Sequence, residues 1–420
     1  MRKNFGLWIG VILMLIISQF YSCSKDKENN SESANREILG IMDEYYLWYQ
    51  HLPDLNPADY STPMDFITAL RYEQYDRWSF VITKEEYYQY FQAGEMIGHG
   101  FILSRDNDNN IRIAMVYPAT NAYNQGVRRG WIVNKINDVT ATPDNINNLI
   151  GDSNVDITNK IEFTNNQGQV VTLNLKKQVI NIKPVVYSDV IEYNNEKIGY
   201  MVFQDFIDVA NHEIDSVFGV FRQENISDLI VDLRYNGGGS LDVAVHLAGW
   251  LTGNTNANQV LNNNVYNDKH QDLNSSDKIP YNASSLDLNR IVFIGTSNTA
   301  SASELTINGM KPYMDVTLVG SPTHGKPVGM HVFSVEDYAV FPVMFRYTNA
   351  QGVGDFYNGL QPDILANDDI THDFGDVNET MLNSALNYIA PGIITKSTKS
   401  TFAPELITTG SEISEFYRGY

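Results

Sequence analysis

Two residues of this chain have the types and spacing for acyl transfer. Ser301 lies in the run Thr299-Ala300-Ser301-Ala302-Ser303-Glu304, and Lys326 follows 25 positions later in Thr323-His324-Gly325-Lys326-Pro327. A hydroxyl is a poor nucleophile at neutral pH and needs a base within hydrogen-bond reach. Lysine can be that base without any histidine, provided burial lowers its pKa from ~10.4 towards ~7–8. The surrounding sequence supplies a frame for the serine. Ile291-Val292-Phe293-Ile294 reads as a buried strand and Gly295 to Ala300 as a loop of small residues. A helix is expected to open at Ser303-Glu304, with an acceptor side chain and an acid in its first turn. Ser301 would then stand at a helix N-terminus with backbone amides free.

A second run, Asp232-Leu233-Arg234-Tyr235-Asn236-Gly237-Gly238-Gly239-Ser240, follows the apolar stretch Leu229-Ile230-Val231 and precedes a helical pattern from Leu241 to Leu251. A short apolar run of this kind suits a buried parallel strand. Strand, glycine turn and helix together point backbone N–H groups at an anion. In acyl transfer that anion is the tetrahedral oxyanion, and one lost donor costs roughly 3–4 kcal/mol of barrier. Taken alone, the run could equally be a phosphate-binding turn or a plain tight turn.

Together these motifs resemble the C-terminal processing peptidases, or tail-specific proteases, of the serine–lysine type. The resemblance implies that Ser301, first serine of Ala-Ser-Ala-Ser-Glu, is the nucleophile and that Lys326, of a Gly-Lys pair, is the base. It implies oxyanion donors from the glycine turn, at Gly238 or Gly239, and from Ala302, the residue after the nucleophile. The glycines stand in the family's Asp-Leu-Arg-x-Asn-x-Gly-Gly context. Two positions depart from the pattern: Met330 stands where a glutamine often follows the lysine, and Pro312 where some members carry an aspartate. Glu304 reads as a helix-start residue rather than a catalytic acid, and His324 as a residue that shapes the lysine loop.

The expected fold is α/β and multi-domain, with a helical N-terminal region, a β-rich PDZ domain and an α/β ClpP/crotonase-like catalytic core. Residues 1–22 read as a lipoprotein signal peptide: basic Arg2 and Lys3, apolar Phe5 to Ile17, and the junction Ser22-Cys23. The apolar part is short for a membrane span. Cys23 would be the acylated first residue of the mature protein, although Phe20 and Tyr21 depart from the usual small-aliphatic box. Residues 23–33 are expected to be a flexible tether. Residues 34–92 show helical periodicity with core aromatics, and Asp76-Arg77-Trp78-Ser79 resembles the family's segment leading into the next module.

Residues 94–180 resemble a PDZ domain. Gly98-His99-Gly100-Phe101 matches its carboxylate-binding turn, with His99 expected as a surface turn residue. Such a domain takes an extended peptide as an added strand. The catalytic core is expected over 181–392, beginning with a strand at Lys197 to Phe203 and closing with the turn Gly359-Leu360-Gln361-Pro362-Asp363 and a helix from Met381 to Ile389. The asparagine-rich stretch 252–289 reads as a long surface loop near the active-site rim. The tail 393–420 has no role assigned by its sequence.

Composition narrows the function classes. Cys23 is the only cysteine, which excludes an intrachain disulfide, a cysteine protease and a cysteine-based zinc site. The formal charge of −21 moves to −23 once residues 1–22 are removed, which argues against nucleic acid or anionic headgroups as partners. No Gly-x-Ser-x-Gly elbow and no His-Glu-x-x-His occurs, which disfavours a serine–histidine–aspartate hydrolase and a metallopeptidase. No metal or organic cofactor is implied. The chain is therefore expected to be a lipid-anchored serine endopeptidase (EC 3.4.21.-) of the bacterial cell envelope, acting on protein or peptide substrates. The alternative is a catalytically weak or inactive binding lipoprotein that keeps the fold. Retention of both Ser301 and Lys326 favours the enzyme.

Overall fold

The computed structural model describes residues 31–390 and the strand Glu405–Ile407. The expected signal peptide 1–22, the lipidation site Cys23 and residues 24–30 of the expected tether lie outside the described residues. So does the tail 393–420 apart from that strand. Residues 31–33 are not tether but the first turn of a helix over 31–45. The described residues contain no helix long and apolar enough to cross a membrane.

The chain divides into two compact units. The first holds the residues up to Lys84 together with Asn267–His270 and Met330–Phe345. Its opening helix buries Ala34, Ile38 and Met42, spaced one helical turn apart on a single face. The helix Pro63–Leu70 has Thr62 as its cap, accepting from the Asp65 amide at 3.1 Å, and proline at its first position. The strand Phe80–Thr83 pairs antiparallel with Tyr338–Phe341. Asp76 accepts from the Ser79 and Tyr46 hydroxyls, which ties the aromatic segment into this core.

The second unit holds Glu85–Tyr266, Gln271–Gly329 and the chain from Arg346. At its centre is a six-stranded sheet. Val185–Tyr193 pairs antiparallel with Glu196–Phe203, and then Asp228–Asp232, Arg290–Gly295, Asp315–Gly320 and Ile364–Leu365 follow in parallel. Side chains alternate across these strands. Leu229, Val231, Ile291 and Phe293 pack with the helices Ala210–Glu224, Leu241–Thr252 and Ala302–Met310. Ile230, Val292 and Ile294 pack with the helix Thr380–Ile389. Both faces are covered, which is why these strands read as unbroken apolar runs.

The span read as a PDZ domain forms its own antiparallel sheet. Its strands, in spatial order, are Phe101–Arg105, Ile111–Val116, Ile132–Ile136, Thr158–Thr164 and Val170–Lys176, with Glu95–Gly98 pairing Gln178–Asn181 beside them. The strand Glu405–Ile407 adds to its edge next to Phe101–Arg105.

Residues 252–289 are not a plain loop. Val260–Tyr266 pairs antiparallel with Ser275–Lys278. Leu261 and Ile279 are buried, and the Asn262 and Asn264 amides both donate to Asp277 Oδ2 at 2.9 Å. Asparagine is a poor strand former, so composition pointed to a loop. Here two of its amide NH2 groups share an acceptor, the Asp277 carboxylate, on the paired strand.

Candidate active site

Three neighbouring parallel strands, Asp228–Asp232, Arg290–Gly295 and Asp315–Gly320, deliver three loops from their carboxyl ends. In open α/β sheets that is where ligands are bound. The first loop is the glycine turn, the second carries Ser301 and the third carries Lys326.

The serine turn is tied down on both sides. Thr299 Oγ1 donates to the Leu233 carbonyl at 2.7 Å, and the Ala300 amide donates to the Asn236 carbonyl at 3.0 Å. The His324 amide donates to the Thr299 carbonyl at 2.9 Å, a backbone bond between the serine turn and the lysine loop. Ser301 itself has φ 54° and ψ −116°. A positive φ on a non-glycine residue costs roughly 1–2 kcal/mol and persists only where the surroundings enforce it. The helix Ala302–Met310 opens immediately after it. The Ala302 amide makes no hydrogen bond among the described residues, so one expected oxyanion donor is open.

The glycine turn lies directly against the serine. A Cβ on Gly238, whose φ is +103°, would stand 2.7 Å from Ser301 Cβ and 2.9 Å from the Ala302 nitrogen. Only glycine allows so close an approach. The Gly238 amide, however, donates to Asn236 Oδ1 at 2.9 Å, so this expected donor is engaged within the turn. The Gly239 amide makes no hydrogen bond among the described residues.

Glu304 joins the serine turn to the lysine loop. Its carboxyl accepts from the Ser301 amide at 3.0 Å, the Gly325 amide at 2.7 Å, the Lys326 amide at 2.8 Å and the Thr323 hydroxyl. Burial pushes the Glu304 carboxyl up to about 7, while those four donors pull it down. Three of the four partners are backbone amides, which can only donate, and they favour the carboxylate. Glu304 does start the helix, as the sequence suggests, and in addition fixes both loops. On the other side the Tyr347 hydroxyl, with one proton to share, lies 3.0 Å from the Ser301 carbonyl and 2.6 Å from that of Lys326. Nothing in the spacing of Tyr347 within its strand signals this role. Lys326 is half-buried.

Beneath the glycine turn is a buried ionic cluster that the sequence did not reveal. Arg234 bonds Asp232, Asp368 and Glu379, and Arg129 bonds Asp368 and the Tyr235 hydroxyl. The Tyr235 hydroxyl donates to Asp368 and that of Tyr200 to Asp232. Burial by itself would raise the Asp368 carboxyl, but Arg129 and Arg234 hold it below its ordinary value. The cluster fixes the backbone at Arg234 and Tyr235, just before Asn236 and the glycines.

In the β-rich span, Gly98, Gly100 and Phe101 form a turn at the mouth of a small cleft shared with Ile150 and Lys177. Gly100 has φ +87°, and a Cβ there would stand 2.6 Å from Thr120. His99 is not a surface residue. It is 5% exposed, its Nε2 lies 2.8 Å from Asn159 Oδ1, and burial lowers its pKa to about 4. It is a neutral imidazole at neutral pH. Among the described residues no group of three or more His, Cys, Asp or Glu side chains could hold a metal ion.

Residues 197–366 match Peptidase family S41 and residues 33–80 match the Peptidase S41 N-terminal domain. The chain is 22% identical over 367 residues to the "Probable CtpA-like serine protease" of Staphylococcus aureus, covering 85% of this chain and 69% of that protein. It is similar to a crystal structure assigned to the S41 proteases from Bacteroides fragilis, with 25% identity and a TM-score of 0.69 over 84% of this chain and 96% of that one. The photosystem II D1 C-terminal processing protease is similar in fold, with 18% identity and a TM-score of 0.51 over 80% of this chain and 92% of its own.

Proposed function

The chain belongs to peptidase family S41, and we propose that it cuts peptide bonds in proteins with a Ser301–Lys326 dyad. The observation that carries this reading is the double clamp on the two residues. Glu304 Oε2 accepts from both their amides, and the Tyr347 hydroxyl lies between both their carbonyls. Two loops from different strands are thereby held as one unit around a serine and a lysine.

In this mechanism Ser301 Oγ attacks the scissile carbonyl as the neutral Lys326 amine accepts its proton. The Ala302 amide donates to the oxyanion. A second donor comes from the glycine turn, either Gly238 once its amide leaves Asn236 or Gly239. Lys326 then returns the proton to the leaving amine, and water opens the acyl-enzyme by the same route in reverse. Residues 94–180 act as a PDZ domain that captures a C-terminal or extended segment of the substrate. The Gly98–Phe101 turn supports this, since it opens the strand that would receive the peptide. The signal-like residues 1–22 and Cys23 support a lipid-anchored place in the cell envelope.

A serine-directed fluorophosphonate tests the site directly. It should label Ser301 in the wild type, as mapped by peptide mass spectrometry, and should leave Ser301 unlabelled in Lys326→Ala. Labelling of a different serine would displace the dyad.

A further inference from the structure

The sheet edge of the β-rich span is closed by a segment from far along the chain. Glu405–Ile407 pairs antiparallel with Phe101–Arg105, placing Ile407 opposite Leu103, Leu406 opposite Ser104 and Glu405 opposite Arg105. On its other side Phe101–Arg105 pairs with Ile111–Val116, so without the added strand it would be an open edge. That edge is apolar: Phe101, Ile102 and Leu103 are all buried. An exposed apolar edge strand is a template for pairing with another chain.

The added strand uses both of its faces. Successive strand residues point to opposite sides. Leu406 packs against the cluster containing Ile102, Met115 and Ile180, and Ile407 against the one containing Phe101, Leu103 and Ile150. Two aliphatic side chains on an edge strand are thereby half-buried.

Phe101 follows the Gly98-His99-Gly100 turn directly, so this is the strand along which a PDZ domain takes an extended peptide. The added strand runs from Arg105 towards Leu103, which is towards that turn. Thr408 follows Ile407, so the segment carries no terminal carboxylate at this point. We propose that Glu405–Ile407 is a built-in ligand of the peptide groove. The groove accepts an internal extended segment of acidic–aliphatic–aliphatic character, and a substrate must displace the chain's own copy to enter. This rests on the reading of residues 94–180 as a PDZ domain.

Tethering makes the built-in ligand hard to displace. A segment that belongs to the same chain competes intramolecularly, at an effective concentration that does not fall on dilution. A free peptide of the same sequence, added at micromolar concentration, should therefore bind the full chain poorly.

The test compares the full-length wild type with full-length L406D/I407D, whose changes lie outside the groove itself. The probe is a fluorescent peptide with the sequence of residues 403–409, read by anisotropy. The variant should bind it at least about tenfold more tightly than the wild type. It should also cleave an unfolded protein faster at limiting substrate. Equal affinity in the two proteins overturns the proposal. If neither takes up this peptide but both bind an apolar peptide with a free C-terminus, the built-in ligand is wrong while the PDZ reading stands. If neither binds any peptide, both have failed. A second measurement does not depend on the groove being emptied. In a Cys23→Ser background, R105C/E405C should close a disulfide within one chain under mild oxidation, and closure should block peptide uptake until reductant is added. A cross-link found only between two chains, or none, overturns the in-chain assignment.

Discussion

The amides of Ser301 and Lys326 donate to a single atom, Oε2 of Glu304, at 3.0 and 2.8 Å. The two residues come from loops on neighbouring parallel strands, so their relative position could vary with each loop separately. A shared acceptor removes that freedom at the backbone. It also fixes the backbone at Lys326 without any contribution from position 330, where Met330 stands in place of the glutamine that often follows the lysine. The lysine's own amide and carbonyl are held by Glu304 and Tyr347.

Glu304→Gln should damage the site without changing its shape. One carboxylate oxygen becomes an NH2 group, and the two donors facing it lose their acceptor. A buried donor left unsatisfied costs about 1–3 kcal/mol. We expect kcat to fall at least about tenfold and the melting temperature to drop. Steady-state kinetics and thermal unfolding check both.

The same carboxyl sets a pH dependence. Burial raises it from an ordinary 4.5 to about 7. Between those values the folded protein keeps a proton that the unfolded chain has released, so this group's contribution to stability falls as pH rises from about 4.5 to about 7. Activity should move the other way, rising as the clamp ionises near pH 7. A pH profile of kcat/KM should show this limb in the wild type and lack it in Glu304→Gln.

Tyr347→Phe removes a hydroxyl shared by the Ser301 and Lys326 carbonyls. Stability should change by only about 0.5–1.5 kcal/mol. If Tyr347 positions the proposed dyad through these two carbonyls, kcat should fall while KM stays near its wild-type value. Kinetics over a full substrate range separates the two.

Gly238→Ala brings a Cβ to within 2.7 Å of Ser301 Cβ on a backbone with φ +103°. We expect loss of activity through displacement of the serine turn, with a stability cost of at least about 1–2 kcal/mol for the strained backbone. Fluorophosphonate labelling at Ser301 should slow in parallel.

Asp368→Asn leaves the Arg129 and Arg234 guanidiniums facing a neutral amide in a buried site. Removing one partner of a buried ion pair costs about 3–5 kcal/mol. Urea unfolding should show a loss of that size, and a change below about 1 kcal/mol would remove the cluster from the supports of the glycine turn.

What the sequence made legible was local chemistry. The apolar runs ending at Val231 and Ile294 announced buried parallel strands, and the small-residue turns after them announced the site. Gly238 and Ala302 were placed beside Ser301 by motif, and the structure sets them there. Contacts set by tertiary packing could not be read in this way. Tyr347 lies 46 residues from Ser301 and Asp368 lies 239 from Arg129, and no periodicity links such pairs. His99 in a glycine turn read as exposed because turns are usually wet, yet Asn159 covers it. The hairpin within 252–289 was hidden because its ladder is built from asparagine rather than β-branched residues.

The most direct test is kcat/KM for cleavage of an unfolded protein with an apolar C-terminus, measured for the wild type, Ser301→Ala, Lys326→Ala and the double variant. Residues that act as one unit are strongly non-additive when removed. The dyad predicts that each single variant loses about 10³-fold or more and that the double variant is no worse than either. Wild-type activity in either single variant, or losses that multiply in the double variant, would contradict a Ser301–Lys326 mechanism.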